Sequence, residues 1–132
     1  MICPAKLTVL VVEDNSRMRQ MIKSVVSDLA AEVFERDDGA DAVAAYDEYR
    51  PTWVLMDIKL RTLDGLTATR RIVGKDPRAR VIIVTNYDSP GFRDEARSAG
   101  ACAFVLKNHL LELRHIIQGY DDSSAGSGIR GV

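Results

Sequence analysis

The segment "WVLMDIKLRTLDG", Trp53 to Gly65, changes character half-way. Trp53, Val54, Leu55 and Met56 run together as a buried strand would, and a carboxylate, Asp57, follows at once. The stretch behind it, with Lys59, Arg61, Asp64 and Gly65, reads as a loop. A charge beside an apolar run is costly unless something cationic meets it, so Asp57 requires partners from elsewhere in the chain.

The same alternation recurs on both sides. Leu7 to Val12 (LTVLVV) is a short β-rich run, and Met18, Met21, Ile22, Val25, Val26 and Leu29 then recur at helical spacing behind Ser16, read as an N-cap. Glu32 to Arg36 (EVFER) gives a second strand, followed by an Ala-rich helix from about Ala40 to Tyr49, which Pro51 stops before the strand Thr52 to Asp57. Leu66, Thr69, Ile72 and Val73 mark a third helix, Arg80 to Asn86 (RVIIVTN) a fourth strand and Phe92 to Ser98 a fourth helix. Cys102 to Lys107 (CAFVLK) and a last helix with Leu110, Leu113, Ile116 and Ile117 complete the series. Continuous apolar strands alternating with helices imply a parallel sheet covered on both faces by right-handed crossovers. The expectation is a single three-layer α/β domain, a doubly wound five-stranded parallel sheet with five helices.

At 132 residues and 46% hydrophobic content the chain can bury one core and is short for two. Its 18 basic and 19 acidic residues are interspersed, for a formal net charge of -1, so no global field favours nucleic acid or an anionic membrane. The basic residues Arg61, Arg70, Arg71, Lys75, Arg78 and Arg80 read as a solvated face. No apolar run approaches the roughly 18 residues that span a bilayer, and the first residues lack the charged region followed by an apolar stretch expected of a secretory signal. Cys3 and Cys102 are too few for a disulfide framework and lack metal-ligand spacing; they read as small buried or incidental thiols. A cytoplasmic location is expected, without membrane or direct nucleic-acid binding. Beyond about Gly119 the sequence becomes Gly- and Ser-rich, so residues 120–132 read as a flexible tail or linker behind a domain of residues 1–119.

In an open parallel α/β sheet, ligands bind beyond the carboxyl ends of the strands. There stand Glu13 and Asp14 after the first strand, Asp57 after the third, Thr85 near the end of the fourth and Lys107 at the end of the fifth. Three carboxylates so close repel, and protonate unless a cation neutralises them. Hard oxygen donors without His or Cys favour Mg2+, which keeps several waters and shares a phosphate oxygen. Lys107 can neutralise Asp57 or an anionic group attached to it. A nucleotide or flavin site on the same fold has neither GxGxxG nor a Walker loop behind it.

With "VLVVEDN", "WVLMDIKLRTLDG", "VIIVTN" and "AFVLKN" in this order and spacing, the chain resembles the receiver domains of two-component response regulators, from about Lys6 to Gly119. The resemblance implies the flavodoxin-like receiver fold, with strand order 2-1-3-4-5. It implies that Asp57 accepts a phosphoryl group from a sensor histidine kinase or a histidine phosphotransfer protein. Mg2+ would be held by Asp14 and Asp57, by Glu13 less directly, and by the backbone carbonyl of Lys59. Lys107 would stabilise the phosphoryl oxygens and Thr85 donate its hydroxyl to one of them, while Phe104 is the switch aromatic that turns inward as Thr85 shifts. The change would be read on the face built from the fourth helix, fifth strand and fifth helix by an effector the sequence does not name; a homodimer stays open. Such a protein is a signalling switch whose only catalysis is its own phosphorylation and dephosphorylation. The competing reading is a pseudo-receiver, an interaction module that keeps the fold without using phosphate.

Four positions depart from the family's habit. Arg61 and Asn108 stand where a Pro is usual, Asn86 where a small residue follows the Thr, and Lys59 is uncommon at its position. Without the Pro, a cis bond after Lys107 would cost about 2.5 to 4 kcal/mol, so a trans bond is expected. Lys59 and Asn86 border the site and are expected to lengthen the lifetime of a phosphoryl group on Asp57.

Overall fold

The structure, a computed structural model, describes residues 7–122. Strands β1 (Thr8–Val12), β2 (Glu32–Arg36), β3 (Trp53–Met56), β4 (Val81–Thr85) and β5 (Ala103–Leu106) form one sheet in the order β2-β1-β3-β4-β5. Every pairing is parallel. Helices α1 (Ser16–Val26), α2 (Gly39–Tyr49), α3 (Gly65–Lys75), α4 (Pro90–Ala99) and α5 (Glu112–Asp122) make the crossovers. The expected fold class and strand order are those observed, and none of the described helices is long and apolar enough to cross a membrane.

Because side chains alternate along a strand, each continuous apolar run serves two cores. Leu10, Val12, Val54, Met56 and Ile83 face Ala42, Tyr46, Leu66, Ile72 and Ala96 of α2, α3 and α4. Val9, Val11, Trp53, Leu55, Ile82 and Val84 face Ile22 and Val26 of α1 and Leu113 and Ile117 of α5. Trp53 through Met56 are all buried for this reason, which a one-faced strand would not allow.

The local ends refine the sequence reading. Ser16 is the first residue of α1 rather than its cap; Asn15 Oδ1 accepts from Met18 N at 2.9 Å, its short amide reaching the third free N–H. Helix α4 starts earlier than Phe92, with Pro90 in the first turn behind the cap Ser89. A turn of 3-10 helix, Lys107–His109, separates β5 from α5, and no cis peptide bond occurs among the described residues. Helix α5 runs to Asp122, three residues into the segment read as tail; the rest of that segment, like Cys3 and Lys6, lies outside the described residues.

Gly65 is set by close approach. A Cβ on Gly65, the first residue of α3, would lie 1.8 Å from the carbonyl oxygen of Asp57 and 2.9 Å from Met56 Cγ. In the same helix a Cβ on Gly74 would meet nothing within 4 Å. Gly65→Ala is therefore expected to destabilise the fold by about 1–3 kcal/mol through overpacking. Gly74→Ala should stabilise it by about 0.5–1 kcal/mol by removing backbone freedom from the unfolded chain. Urea unfolding checks both, and equal midpoints for the two variants would contradict the packing account.

Candidate functional site

The parallel ladder continues one residue past β1 and β3. Glu13 N donates to the Arg36 carbonyl at 3.0 Å and Asp57 N to the Val12 carbonyl at 3.1 Å. Both backbones are thereby fixed at the carboxyl edge of the sheet, with Asp14 next in the chain. Glu13, Asp14 and Asp57 each present a carboxylate oxygen, all within 4.8 Å of one another. Glu13 is 1% and Asp57 5% exposed.

Lys107, at the start of the turn after β5, reaches back over β4 to this cluster. Its Nζ donates to Asp57 Oδ2 at 3.1 Å and lies 2.8 Å from Glu13 Oε1. The second contact is an ion pair without aligned hydrogen-bond geometry, which leaves Glu13 Oε1 a buried acceptor with unused capacity. The remaining oxygens are occupied by backbone: Asp57 Oδ1 accepts from Ile58 N at 2.8 Å and Glu13 Oε2 from Asn15 N at 3.1 Å.

Burial pushes the Asp57 carboxyl above its ordinary range; Lys107 and the Ile58 N–H oppose this and the charge of Asp14 adds to it. Burial also raises Glu13, against Lys107 and with the charge of Asp57. Burial disfavours the Lys107 ammonium, but Glu13 and Asp57 outweigh it and hold its pKa above the usual value. Three carboxylates thus face one ammonium. An oxygen-only donor set with a spare buried acceptor fits a hard divalent cation.

The other residues singled out in the sequence gather around this edge. Thr85 ends β4 fully buried, and its Oγ1 accepts from Tyr87 N at 3.2 Å, so its own proton remains free to donate. Phe104 pairs in register with Ile83 and packs on the same core, two residues along from Thr85 on one face of the sheet. The guanidinium carbon of Arg93 lies 4.6 Å from its ring centre. Lys59 Nζ sits 4.6 Å from the ring centre of Tyr87, joining the loops after β3 and β4. Asn86 is exposed, and Tyr87 beside it makes the contact. Nothing in the sequence pairs Lys59 with Tyr87 except their equal spacing, two residues past Asp57 and Thr85. Cys102 is partly buried, and burial pushes its thiol up to about 11. Among the basic residues Lys75 pairs with Asp47 and Arg80 lies over Trp53, while Arg61, Arg70, Arg71 and Arg78 are exposed.

The family described as response regulator receiver domain matches residues 9–118. The chain belongs to the response regulator receiver domain family. It is 40% identical over 102 residues to the chemotaxis protein CheY of Listeria monocytogenes, covering 76% of this chain and 86% of that protein. CheY of Bacillus subtilis is 37% identical over 100 residues, covering 75% and 83%. Among solved structures, the receiver domain of a sensor histidine kinase from Pseudomonas aeruginosa PAO1 superposes with a TM-score of 0.79 at 31% identity, covering 90% of this chain and all of that one. That structure has a magnesium ion coordinated in its active site cleft. This receiver is accordingly a signalling domain of the two-component type.

The raised Asp57 pKa gives a stability prediction for the receiver. A carboxyl whose folded pKa lies above its unfolded value favours the fold below the unfolded pKa and loses that contribution as pH rises through the folded pKa. At pH 7 without divalent cations, Asp57→Asn should be more stable than the parent, because it relieves the crowding of carboxylates while Lys107 keeps Glu13 as its partner. The gap should close as the pH is lowered and the parent carboxyl protonates. Urea midpoints across that range test this, and a variant no more stable than the parent at pH 7 would contradict the crowding.

Proposed function

We propose that this receiver is switched by phosphorylation of Asp57, taking the phosphoryl group from a phosphohistidine on a sensor kinase or a histidine phosphotransfer protein. The observation that carries the reading is the ammonium of Lys107 held against Asp57 Oδ2 and Glu13 Oε1, beside Asp14. A full set of carboxylates, hydroxyl and ammonium argues against an interaction module that has kept only the fold.

In this reading Asp57 is the nucleophile: a carboxylate oxygen forms the bond to phosphorus as the phosphorus–nitrogen bond breaks, the electron pair leaving with the imidazole. Asp14, Asp57 and the Lys59 carbonyl, with Glu13 less directly, hold Mg2+, which when bound supplies positive charge to the phosphoryl oxygens. Lys107 keeps its charge and turns it to the phosphoryl group once Asp57 is esterified. Thr85 donates its free proton to a phosphoryl oxygen. Because Thr85 Oγ1 also accepts from Tyr87 N, that movement draws on the loop after β4 and on the space Phe104 occupies beside Ile83. Helix α4, β5 and helix α5 then present the change to an effector.

Treatment with a small-molecule phosphodonor and Mg2+, followed by intact-mass measurement, is the test. One phosphoryl adduct is expected on the parent, and none on Asp57→Asn or after chelation of the metal. An adduct that persists in Asp57→Asn would overturn the site. By calorimetry Asp14→Ala should bind Mg2+ on the order of ten times more weakly, whereas the exposed Asp94→Ala should bind it as the parent does. Equal affinities for the two would remove Asp14 from the metal site.

The Lys59–Tyr87 contact gives a prediction about lifetime. A cation held on a ring across the two loops narrows the path by which water reaches a phosphoryl group on Asp57. Lys59→Ala and Tyr87→Ala should each lose phosphate faster than the parent at fixed Mg2+ and pH, while Tyr87→Phe, which keeps the ring face, should match it. Unchanged or slower loss in both alanine variants would show that the pair does not shield the site.

A further inference from the structure

We propose that Asp38 and Gly39, at the start of α2, are positioning residues for the β3–α3 loop and set the affinity of the acidic site for its divalent cation. The inference rests on the assignment of the Lys59 carbonyl as a metal ligand, because that carbonyl lies in this loop.

The loop leaves the sheet at Asp57 and ends at Gly65. Its ends close on themselves: Ile58 N donates to Asp57 Oδ1 at 2.8 Å, and Gly65 N to the Ile58 carbonyl at 2.8 Å. Its middle is held from outside. Thr62 N donates to Asp38 Oδ1 at 2.7 Å, a bond that spans 24 residues. At the next position a Cβ on Gly39 would lie 2.1 Å from the Leu63 carbonyl oxygen, so the loop backbone rests directly on the bare backbone of α2.

Asp38 does more than cap its helix. Asn15, Asp64 and Ser89 each accept a backbone N–H of their own helix, from Met18, Thr67 and Phe92. Asp38 divides its carboxylate, with Oδ2 on Ala40 N at 3.1 Å and Oδ1 on the loop. It is 8% exposed, and although burial disfavours its charge, the N–H groups of Thr62, Ala40, Leu63 and Gly39 outweigh burial and keep it ionised. A buried carboxylate spent on a loop backbone is the kind of outer-sphere support that orients metal ligands. Asp38 gives its oxygens to Ala40 N and Thr62 N and Gly39 meets Leu63, so both act through the loop.

The test is Mg2+ titration by calorimetry, with phosphodonor kinetics, on the parent, Asp38→Ala, Asp38→Asn and Ile117→Val. Ile117 is buried on the opposite face of the sheet, so its variant loses stability without touching the loop. Asp38→Ala should raise the Mg2+ dissociation constant on the order of tenfold. Its phosphorylation rate should recover at saturating Mg2+, since the nucleophile and Lys107 are intact. Asp38→Asn, with one acceptor oxygen for the two N–H groups of Thr62 and Ala40, should fall between Asp38→Ala and the parent, and Ile117→Val should bind as the parent does. Parent-like Mg2+ affinity in Asp38→Ala, or an equal weakening in Ile117→Val, would overturn the inference while leaving the phosphorylation reading in place. A parent that takes up phosphate but binds no Mg2+ would overturn the metal assignment and this inference with it.

Discussion

The ammonium of Lys107 is the group that makes the carboxyl edge of this sheet tenable. It meets Asp57 at 3.1 Å and Glu13 at 2.8 Å, both all but excluded from water. Removing one partner from a buried pair commonly costs about 3–5 kcal/mol, because the other charge is left stranded. The sheet order supplies the geometry: β3 and β5 flank β4, so a side chain from the turn after β5 needs to cross only one strand to reach Asp57. Topology and charge are therefore one constraint. A different strand order would leave three carboxylates without their cation.

The balance is deliberately incomplete in chemical terms. One ammonium cannot neutralise three carboxylates, and the raised pKa values of Glu13 and Asp57 express the remainder. The same excess that weakens the fold leaves an oxygen-only cluster of a kind that suits a hard cation. Around it, backbone contacts hold the neighbouring loop through Gly65, Gly39 and Asp38.

Much of this was legible from residue patterns because the patterns are local. Four-residue apolar runs such as Trp53 to Met56 are unambiguous strands once helical periodicities lie between them, and the rule that ligands sit beyond the carboxyl ends then brings Glu13, Asp14, Asp57, Thr85 and Lys107 together. What escaped depends on distance in space. Asn15 and Ser16 are both good caps in adjacent positions, and propensity alone cannot choose between them. Composition signals the end of α5 too early, since no Pro intervenes between Gly119 and Asp122. The Asp38–Thr62 bond and the Lys59–Tyr87 contact join segments far apart in sequence, with only the Asp-Gly pair at residues 38–39 as a hint of tight backbone approach. Trp53, four residues before Asp57, looks convenient as a reporter of metal binding. Along a strand at roughly 3.3 Å per residue it lies about 13 Å away, buried at the other end of β3, so calorimetry is the better readout.

The claim at the centre of this account is that Lys107 and the divalent cation neutralise the same carboxylates. A calorimetric Mg2+ titration of Lys107→Met beside the parent tests it most directly. The account predicts tighter Mg2+ binding by the variant, because the cation then meets the full unbalanced charge of Glu13, Asp14 and Asp57. Equal or weaker binding by a folded Lys107→Met would contradict it.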